Sequence, residues 1–531
     1  MRSVRPGAIR YLGHAGFTVE HAGLRLLIDP WFHPAFLGSW FPFPDNRELL
    51  PDVLTGRHDL LYLSHTHEDH FDERVVAELD RDVRVVLPRY RSRSLVRRMT
   101  ALGFHDQVVL GHRESFEAAP GFTLTMLLDT SHKEDSGLLV DLDGFRFLDL
   151  NDCNTPLSEL PGDVDLLSAQ FSGAMWYPNA YAYPDELQRK KTAEVRSDLF
   201  DTLVRKVALT GARAYLPSAG PPVFLDPELA RYNDRDATIF PLWEAFADDF
   251  AAACPTVRVL EAAPGDDLAA PSGPVEHART PAYLTAYRER REAEWRADAT
   301  HAFEPVGPAE LDAYFARLQS WNRRFLGDWR KDIRLTADGG SWSVRLGRIA
   351  GDIVLEDEPV DPAYTIEVPQ RILRAIVDGR VGWEEALLSM RLGLARDPDV
   401  FDLTLMSLLR YGDHPAQTMQ MVRERESAAS GESIERCGVR MQRFCPHAGE
   451  DLAHADVTHD EIEAGVLECP RHHWKWRLDT GECVAGGTVP LRVAPAGDEH
   501  PARQRVDTRR QPSDIGRQPS DMRRQPGEPC R

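Results

Sequence analysis

The chain has 531 residues, 42% of them hydrophobic, and a formal net charge of −21 from 63 basic and 84 acidic side chains. This length accommodates about three or four domains with buried cores, and the acidic charge argues against nucleic acid and anionic membranes as partners. No apolar run reaches the roughly 20 residues of a membrane helix, and neither a secretory signal peptide nor a disulfide framework is apparent. We expect a cytoplasmic protein with no integral membrane segment and no nucleic-acid partner.

The first 265 residues alternate short apolar runs with turn residues, a pattern that predicts β-strands. Helical stretches interrupt these runs, and one of them, residues 192–211, ends at Gly211, a residue type common directly after a helix. Many strands with interleaved helices favour an α/β fold in which sheets pack as a sandwich. We therefore interpret residues 1–265 as one α/β domain.

A dense set of metal-binding residue types follows the apolar run at residues 60–64. His65, His67, Asp69 and His70 form the pattern H-x-H-x-D-H. Alternate positions in an extended segment place His65 and His67 on one side, and a tighter turn brings Asp69 and His70 towards a second point. Imidazole and carboxylate ligands suit iron, zinc or manganese. The pattern predicts a site for one or two metal ions.

This segment resembles the metallo-β-lactamase superfamily. The phrases YLGHAGF and LLIDPWF look like its UlaG-like branch, which contains ascorbate-phosphate lactonases, and the resemblance covers about residues 8–225. It implies an αββα sandwich with two further metal ligands, a third histidine and an aspartate after a strand. His132 and Asp152 match these positions, and Asp152 matches better than Asp149. His14 and Asp29 are interpreted as supporting or structural residues, not as ligands.

One position departs from the family pattern. Hydrolases of this family usually carry a last metal-binding histidine after a late strand, whereas residues 212–224 of this chain contain none. The second metal site is therefore one ligand short, or receives a ligand from elsewhere, or only one metal ion binds. Each of these outcomes weakens an assignment as an ordinary hydrolase.

The middle of the chain has no chemical motif. Residues 266–304 look like a linker followed by a helix, because Pro, Gly and Ser are frequent before a helical run. Residues 305–415 read as strands followed by helices and predict a small α+β domain that serves in packing and docking.

The C-terminal part contains two cysteines and two histidines in the patterns C-x-H and C-x-x-H. Cys445 and His447 are followed, after 21 residues, by Cys469 and His472. Two thiolates and two imidazoles in this order suit a Rieske [2Fe-2S] cluster, in which Cys₂ holds one iron and His₂ the other. Structural zinc is the alternative metal for such a set. The C-x-x-H spacing makes His473 a neighbour of the cluster and not a ligand.

Residues 425–493 are expected to form this Rieske domain as an all-β unit. The stretch WKWRLDTGECV resembles the aromatic strand and glycine turn that follow the second loop of such domains, and residues 479–481 are typical of a hairpin turn. Residues 494–531 contain RQPSD twice, and polar, proline-rich repeats of this kind cannot bury enough apolar surface to fold. We expect a disordered tail.

The combination of the two metal motifs points to redox chemistry. Hydrolysis needs no electron, whereas an iron centre that activates O₂ needs electrons delivered singly. The segment at residues 382–402, GWEEALLSMRLGLARDPDVFD, resembles CMP-N-acetylneuraminate hydroxylase-type oxygenases, which also combine a Rieske module with a metallo-β-lactamase-like domain. The resemblance implies an O₂-dependent hydroxylase, a monooxygenase, whose substrate is a sugar nucleotide or a natural-product intermediate.

In this hypothesis a ferredoxin or reductase reduces the cluster, and the electron passes through His447 or His472 to non-haem iron. Asp69 and His70 are the expected catalytic residues. The main alternative is a metallohydrolase, similar to a lactonase or phosphodiesterase, in which Asp69 acts as general base and the cluster as a redox sensor. A non-enzymatic electron-transfer protein is a further alternative. The sequence leaves the oligomeric state open.

Overall fold

The computed structural model describes residues 8–130, 133–273, 276–297, 303–347, 353–356, 363–447, 449–453, 455–459, 465–470 and 473–495. The chain divides into two compact units, Met1–Arg425 and Glu426–Arg531. Within the described ranges, no helix has the length and apolarity required to cross a lipid bilayer.

The first unit begins with two sheets, whose strands follow each other in simple order. The first sheet contains β1 (Ile9–Gly13), β2 (Gly16–His21), β3 (Leu24–Ile28), β4 (Leu60–Tyr62), β5 (Arg84–Pro88) and β6 (Gln107–Leu110), in that order. Its strands are antiparallel from β1 to β3 and parallel from β3 to β6.

In the second sheet, too, neighbouring strands are consecutive in the sequence. It contains β7 (Ser115–Ala119), β8 (Phe122–Leu128), β9 (Ser136–Leu142), β10 (Phe145–Asn151), β11 (Leu166–Gln170), β12 (Ala214–Ser218) and β13 (Arg258–Val259). Strands β7 to β10 are antiparallel, and β10 to β13 are parallel.

The two sheets pack face to face because successive side chains of a strand point to opposite faces. Leu26 and Ile28 of β3 lie in the core between the sheets, together with Phe147 of β10. The alternate residue Leu27 instead faces an outer core formed with helices. Strands covered on both faces read as nearly continuous apolar runs, as the sequence shows.

Helices cover the outer face of each sheet. They are α1 (Leu50–Thr55), α2 (Glu73–Glu78) and α3 (Ser94–Ala101) on the first sheet, and α4 (Asp185–Thr210) and α5 (Ala247–Ala253) on the second. The end of α4 at Gly211 is confirmed, since Gly211 adopts a left-handed φ of 59° and its N–H bonds to the last carbonyls of the helix. The predicted αββα sandwich is confirmed.

Residues 276–297 pack against this sandwich. They form a 3₁₀ helix, Glu276–Arg279, followed by α6 (Pro281–Arg290) and α7 (Glu292–Trp295). Arg291 is only 2% exposed. It donates to both carboxylate oxygens of Glu294, at 2.7 and 2.8 Å. It also donates to Asp45 at 3.3 Å and to the Phe32 carbonyl at 3.1 Å. The buried guanidinium therefore fastens this segment to the loop that follows β3.

Replacing Arg291 by Met should destabilise the N-terminal unit by about 1–3 kcal/mol, because Glu294 and Asp45 would lose their buried partner and keep only the more exposed Arg47 and Arg290. Urea denaturation followed by intrinsic fluorescence measures the change. The matched control is Arg296→Ala, which removes an exposed ion pair with Glu292 at 2.7 Å and should change the unfolding free energy by less than about 1 kcal/mol. Equal losses of unfolding free energy in both variants would show that Arg291 does not fasten residues 276–297 to the loop that follows β3.

The middle domain has a mixed sheet covered by helices. The sheet order is β16 (Val354–Glu356), β15 (Gly340–Leu346), β14 (Lys331–Ala337), β17 (Tyr364–Glu367) and β18 (Gly393–Arg396). The helices are α8 (Pro308–Trp321), α9 (Arg323–Leu326), α10 (Gln370–Val377), α11 (Trp383–Leu388), α12 (Leu403–Tyr411) and α13 (Pro415–Ser430), of which α13 continues into the second unit. The predicted α+β character is confirmed.

The middle domain joins the sandwich through the segment after β11. The N–H of Ala182 donates to the Leu394 carbonyl at 2.8 Å, and the N–H of Leu394 donates to the Ala180 carbonyl at 2.8 Å. The hydroxyl of Tyr183 donates to Asp399 at 2.6 Å. Main-chain pairing with β18 thus ties the two domains of this unit together.

The second unit consists of two small sheets. One contains β19 (Ser433–Arg436), β20 (Val439–Gln442) and β25 (Val493–Pro495), and the other β21 (Asp456–His459), β22 (Gly465–Glu468), β23 (Lys475–Arg477) and β24 (Cys483–Ala485). The predicted hairpin turn is present: Gly481 has a φ of 73°, and its N–H donates to the Arg477 carbonyl. The all-β prediction is confirmed. Of the predicted tail, residues 494–531, the first two belong to β25, and residues 496–531 lie outside the described residues.

Candidate metal centres

The first candidate centre lies where several strands of the sandwich end. Asp29 directly follows β3, His65 lies just beyond β4, and Asp152 directly follows β10. In parallel arrangements these carboxyl ends meet at one edge of the sheets, where binding sites commonly form. The fold therefore brings together residues that are far apart in the sequence.

The imidazole of His70 is held by a buried carboxylate. Asp29, which is fully buried, accepts from the N–H of Ser64 at 2.8 Å and from Nδ1 of His70 at 2.9 Å. Because a carboxylate only accepts hydrogen bonds, Nδ1 of His70 carries a proton. Burial opposes a charge on His70, but the surrounding carboxylates outweigh burial and raise the pKa of the ring well above its usual value. Nε2 is the nitrogen left for a metal ion, which would displace its proton. Metal-binding histidines typically have their other nitrogen fixed in this way.

His65 and His67 face each other across a short gap. Nε2 of His65 lies 2.9 Å from Nδ1 of His67. The other nitrogen of His65, Nδ1, lies 3.0 Å from the Ser64 hydroxyl and 3.4 Å from a carboxylate oxygen of Asp135. The two facing nitrogens are close enough to share a proton in this structure, and the same closeness would let a small rotation of the rings direct both at one metal ion.

Two groups of potential ligand atoms share His70. One group is His14, Asp69 and His70, and the other is His65, His70 and Asp152; within each group the atoms lie within 4.8 Å of one another. Among the described residues, Oδ1 of Asp69, Nε2 of His70 and Oδ1 of Asp152 are buried without a hydrogen-bond partner. Buried polar atoms normally have partners, so these three unpartnered atoms fit a bound cation.

The structure places Asp152, and not Asp149, beside the histidines. Oδ1 of Asp152 lies 3.5 Å from Nε2 of His70. Asp149 instead accepts from the Ser168 hydroxyl at 3.0 Å, and burial raises its pKa to about 8. His132 lies outside the described residues, so its role as a ligand stays a prediction.

The charges of the centre are strongly coupled. Burial, reinforced by His70, lowers the pKa of His65 well below its usual value. Burial also opposes the charge on Asp69, but His70 and His14 outweigh this effect and lower the pKa of Asp69. Divalent cations require neutral imidazoles and ionised carboxylates, so metal binding here would release protons from the histidines whose pKa values the carboxylates raise.

Glu384 of the middle domain reaches this centre, a contact that the sequence analysis missed. Its Oε1 lies 3.7 Å from Nε2 of His67, on the side of the ring opposite His65, and it pairs with Arg410. Burial lowers the pKa of His67, but Glu384 outweighs burial and raises it to about 9. Burial opposes ionisation of Glu384, yet Arg410 and His67 keep its pKa well below the usual range. No local sequence signal announces this pairing.

The second candidate centre lies in the C-terminal unit. Cys445 and Cys469 are 1% and 0% exposed. The N–H of Cys445 donates to the Glu450 carbonyl at 2.7 Å, and the N–H of Cys469 donates to the Trp474 carbonyl at 2.9 Å. Each cysteine therefore begins a tight loop whose ends are closed by a main-chain bond.

A stacked ring pair joins the two loops. The imidazole of His447 lies parallel to the indole of Trp474, with 4.3 Å between ring centroids. Gly487 also lies against Trp474, since a Cβ added there would come within 2.1 Å of the indole. His472 lies outside the described residues, and its neighbour His473 donates from Nδ1 to Glu468 at 2.8 Å. Two buried thiols and the His447 imidazole fit the expected cluster.

Two family comparisons match separate parts of the chain. Residues 8–182 match the family described as "Beta-lactamase superfamily domain", and residues 436–494 match the "Rieske [2Fe-2S] domain". The first match contains His65, His67, Asp69, His70 and Asp152, and the second contains both cysteines and both histidines of the predicted cluster motif. The chain therefore carries a [2Fe-2S] cluster domain, while the residue-level ligand assignments and the UlaG-like branch stay predictions.

This chain is similar in sequence to two groups of proteins, Rieske iron-sulfur proteins and hydroxylases. A Mycolicibacterium smegmatis protein named as a Rieske 2Fe-2S iron-sulfur protein is 29% identical over 526 residues, covering 91% of this chain and 98% of its own. The cytidine monophosphate-N-acetylneuraminic acid hydroxylase of Asterias rubens is 24% identical over 223 residues, covering 40% of this chain and 34% of the hydroxylase.

Solved structures resemble about half of the chain. CmlA, a diiron beta-hydroxylase from Streptomyces venezuelae, has 19% identity and a TM-score of 0.34, with 49% of this chain and 53% of that chain covered. Igni18, a metallo hydrolase from Ignicoccus hospitalis, has 16% identity and a TM-score of 0.33, with 49% and 95% covered.

Proposed function

We propose that this chain, which joins a metallo-β-lactamase-like domain to a C-terminal Rieske domain, is an O₂-dependent hydroxylase. The observation that carries the proposal is the presence in one chain of a [2Fe-2S] domain and of a buried centre of imidazoles and carboxylates. A Rieske cluster transfers single electrons, which hydrolysis does not use. In an oxidoreductase both centres have a role, because the cluster domain supplies single electrons and the buried centre can hold the metal ion that uses them.

The overall reaction balances as a monooxygenation. One oxygen atom of O₂ enters a C–H or N–H bond of the substrate, the other leaves as water, and two electrons and two protons are consumed. When bound, non-haem iron in the N-terminal centre would supply O₂ activation, and the cluster would supply the electrons one at a time. The electrons come from an external ferredoxin or reductase.

The chain's own residues define the N-terminal centre. His65 and His67 present nitrogens 2.9 Å apart, and Asp69 and Asp152 contribute negative charge to balance a divalent cation. The predicted third histidine, His132, would complete the set. Residues outside the ligand set then hold the rings: Asp29 orients His70, and Glu384 lies against His67.

In the C-terminal unit, Cys445, His447, Cys469 and His472 are the proposed cluster ligands. Stacking on Trp474 limits rotation of the His447 ring, so the imidazole keeps one orientation during electron transfer. When the cluster is bound, His447 and His472 would be the side chains through which it could pass electrons towards the N-terminal centre.

A sugar nucleotide or a natural-product intermediate is the proposed substrate class. The first alternative is supported by the similarity to the cytidine monophosphate-N-acetylneuraminic acid hydroxylases, which extends over 40% of this chain. The middle-domain segment at residues 382–402, which carries Glu384, also resembles these hydroxylases in sequence.

Metal and sulfide analysis tests the proposal. We expect protein purified without oxygen to contain about two acid-labile sulfides per chain and clearly more than about two irons, corresponding to the cluster plus iron in the N-terminal centre. The matched variant His67→Ala should keep the sulfide and contain less iron in the N-terminal centre than the wild type. Zinc or manganese beside only the cluster iron would instead favour a metallohydrolase with the cluster as redox sensor.

A further inference from the structure

The loop after β12 leaves one side of the N-terminal centre without a histidine. Residues 219–224 of this loop contain only Ala, Gly, Pro, Val and Phe. The backbone turns sharply here, since Ala219 has a φ of 50°. Any ligand on this side of the centre must therefore come from another segment of the chain.

His14 lies directly against this loop. It occupies the turn between β1 and β2, and its carbonyl accepts a hydrogen bond from the N–H of Ala219 at 2.9 Å. Its φ of 54° lies in the left-handed region, which costs a residue with a side chain roughly 1 kcal/mol or more. Such strain persists when the surrounding structure requires the side chain to point in one direction.

The imidazole of His14 points into the centre. The residue is 5% exposed, its Nε2 lies 3.3 Å from Oδ2 of Asp69, and its ring centroid lies 5.2 Å from that of His70. The edge of Trp31 packs against the ring with 4.8 Å between centroids. His14 is thus a rigidly held imidazole beside two of the proposed ligands.

The orphaned atoms of this group face the same place. Oδ1 of Asp69 and Nε2 of His70 have no hydrogen-bond partner among the residues that the structure describes. With Nε2 of His14 they form a set of one carboxylate and two imidazoles. Three such protein ligands with one open position are typical of catalytic metal sites.

We propose that His14 is a metal ligand and that, with Asp69 and His70, it holds a second divalent cation beside the ion held by His65 and His67. It supplies the imidazole that the loop after β12 lacks. This inference rests on the metal centre of the proposed function but not on its reaction, because the same site would form with iron, zinc or manganese.

Zinc titration of the full chain tests the inference. A chelator first removes the N-terminal metal under anaerobic conditions. Visible absorption verifies that the cluster is still intact. Zinc is then titrated into the protein, and binding is followed by calorimetry. We expect about two zinc ions per wild-type chain and about one for His14→Asn, in which asparagine tolerates the left-handed backbone. His65→Ala should remove the other ion and keep the His14 site.

The control variant is His21→Ala, which replaces a histidine at the end of β2 that pairs with Asp143 at 3.2 Å and should leave both zinc sites intact. If His14→Asn still binds two zinc ions, His14 is not a ligand. Unchanged zinc affinity would then mean that His14 has no part in the site, and a fall in affinity of about 10–100-fold would mean that it only positions a ligand. Wild-type protein that binds two zinc ions but is purified without extra iron would contradict the hydroxylase proposal and leave the His14 inference intact.

Discussion

The variant Cys445→Ser is expected to lose the [2Fe-2S] cluster and with it all O₂-dependent turnover, while the N-terminal centre keeps its metal. The Cys445 side chain is buried and begins a tight loop, so serine fits the space but offers a hard hydroxyl in place of a thiolate. Loss of acid-labile sulfide, of visible absorption and of the electron paramagnetic resonance signal of the reduced cluster measures the first effect. Product formation with a chemical reductant measures the second.

Cys483→Ser is the matched control. Cys483 is partly exposed, and its thiol donates to the Ala485 carbonyl at 3.2 Å, which a hydroxyl can do equally well. This variant should keep the cluster signals and the turnover. If Cys445→Ser loses its cluster but converts substrate at the wild-type rate, the electron has no role in the reaction and the metallohydrolase alternative is correct.

The variant Glu384→Ala is expected to weaken metal binding in the N-terminal centre by about 10–100-fold, the usual cost of removing the outer partner of a metal-binding histidine. Nε2 of His67 would lose the carboxylate that lies 3.7 Å away, and the ring could rotate away from His65. Competition with a chromogenic zinc chelator measures the affinity.

The same change leaves the Arg410 guanidinium without its carboxylate. Arg410 also lies over the ring of Trp176, 5.0 Å from its centroid, and burial opposes its charge. We therefore expect a loss of up to about 3–5 kcal/mol in unfolding free energy for Glu384→Ala, and a smaller loss for Glu384→Gln, which preserves the side-chain volume. Reduced metal affinity in both variants separates the effect on the centre from the effect on folding.

Asp378→Ala provides a comparison within the same domain. Asp378 pairs with Arg374 and Arg380 at 3.3 and 3.2 Å on the protein surface, and such exposed pairs contribute about 0–1 kcal/mol. Neither metal affinity nor stability should change appreciably. Unchanged metal affinity in Glu384→Ala would show that the middle domain has no part in the centre.

Much of the fold could be predicted because strands buried on both faces produce apolar runs bounded by turn residues. The end of α4 at Gly211 and the hairpin at Gly481 could be placed because each requires a positive φ that glycine adopts without strain. The cluster-binding loops could be recognised because ligand spacing within a loop is a local property.

The contacts between distant segments could not be predicted in the same way. His14 stands next to a strand and reads locally as part of a turn; only the packing of the first sheet against the loop after β12 brings it beside Asp69. Glu384 reads as part of an amphipathic helix, and its approach to His67 depends on how β18 pairs with the segment at residues 180–182. Tertiary packing determines both positions.

The pairing of β18 with residues 180–182 has a thermodynamic consequence for the first unit. Because Glu384 lies against His67 only when the middle domain is docked, docking and metal binding are reciprocally coupled: each must strengthen the other by the same free energy. A chain whose middle domain has separated is then a weak binder of metal. Loading with metal should in turn strengthen the docking of the two domains by that same free energy.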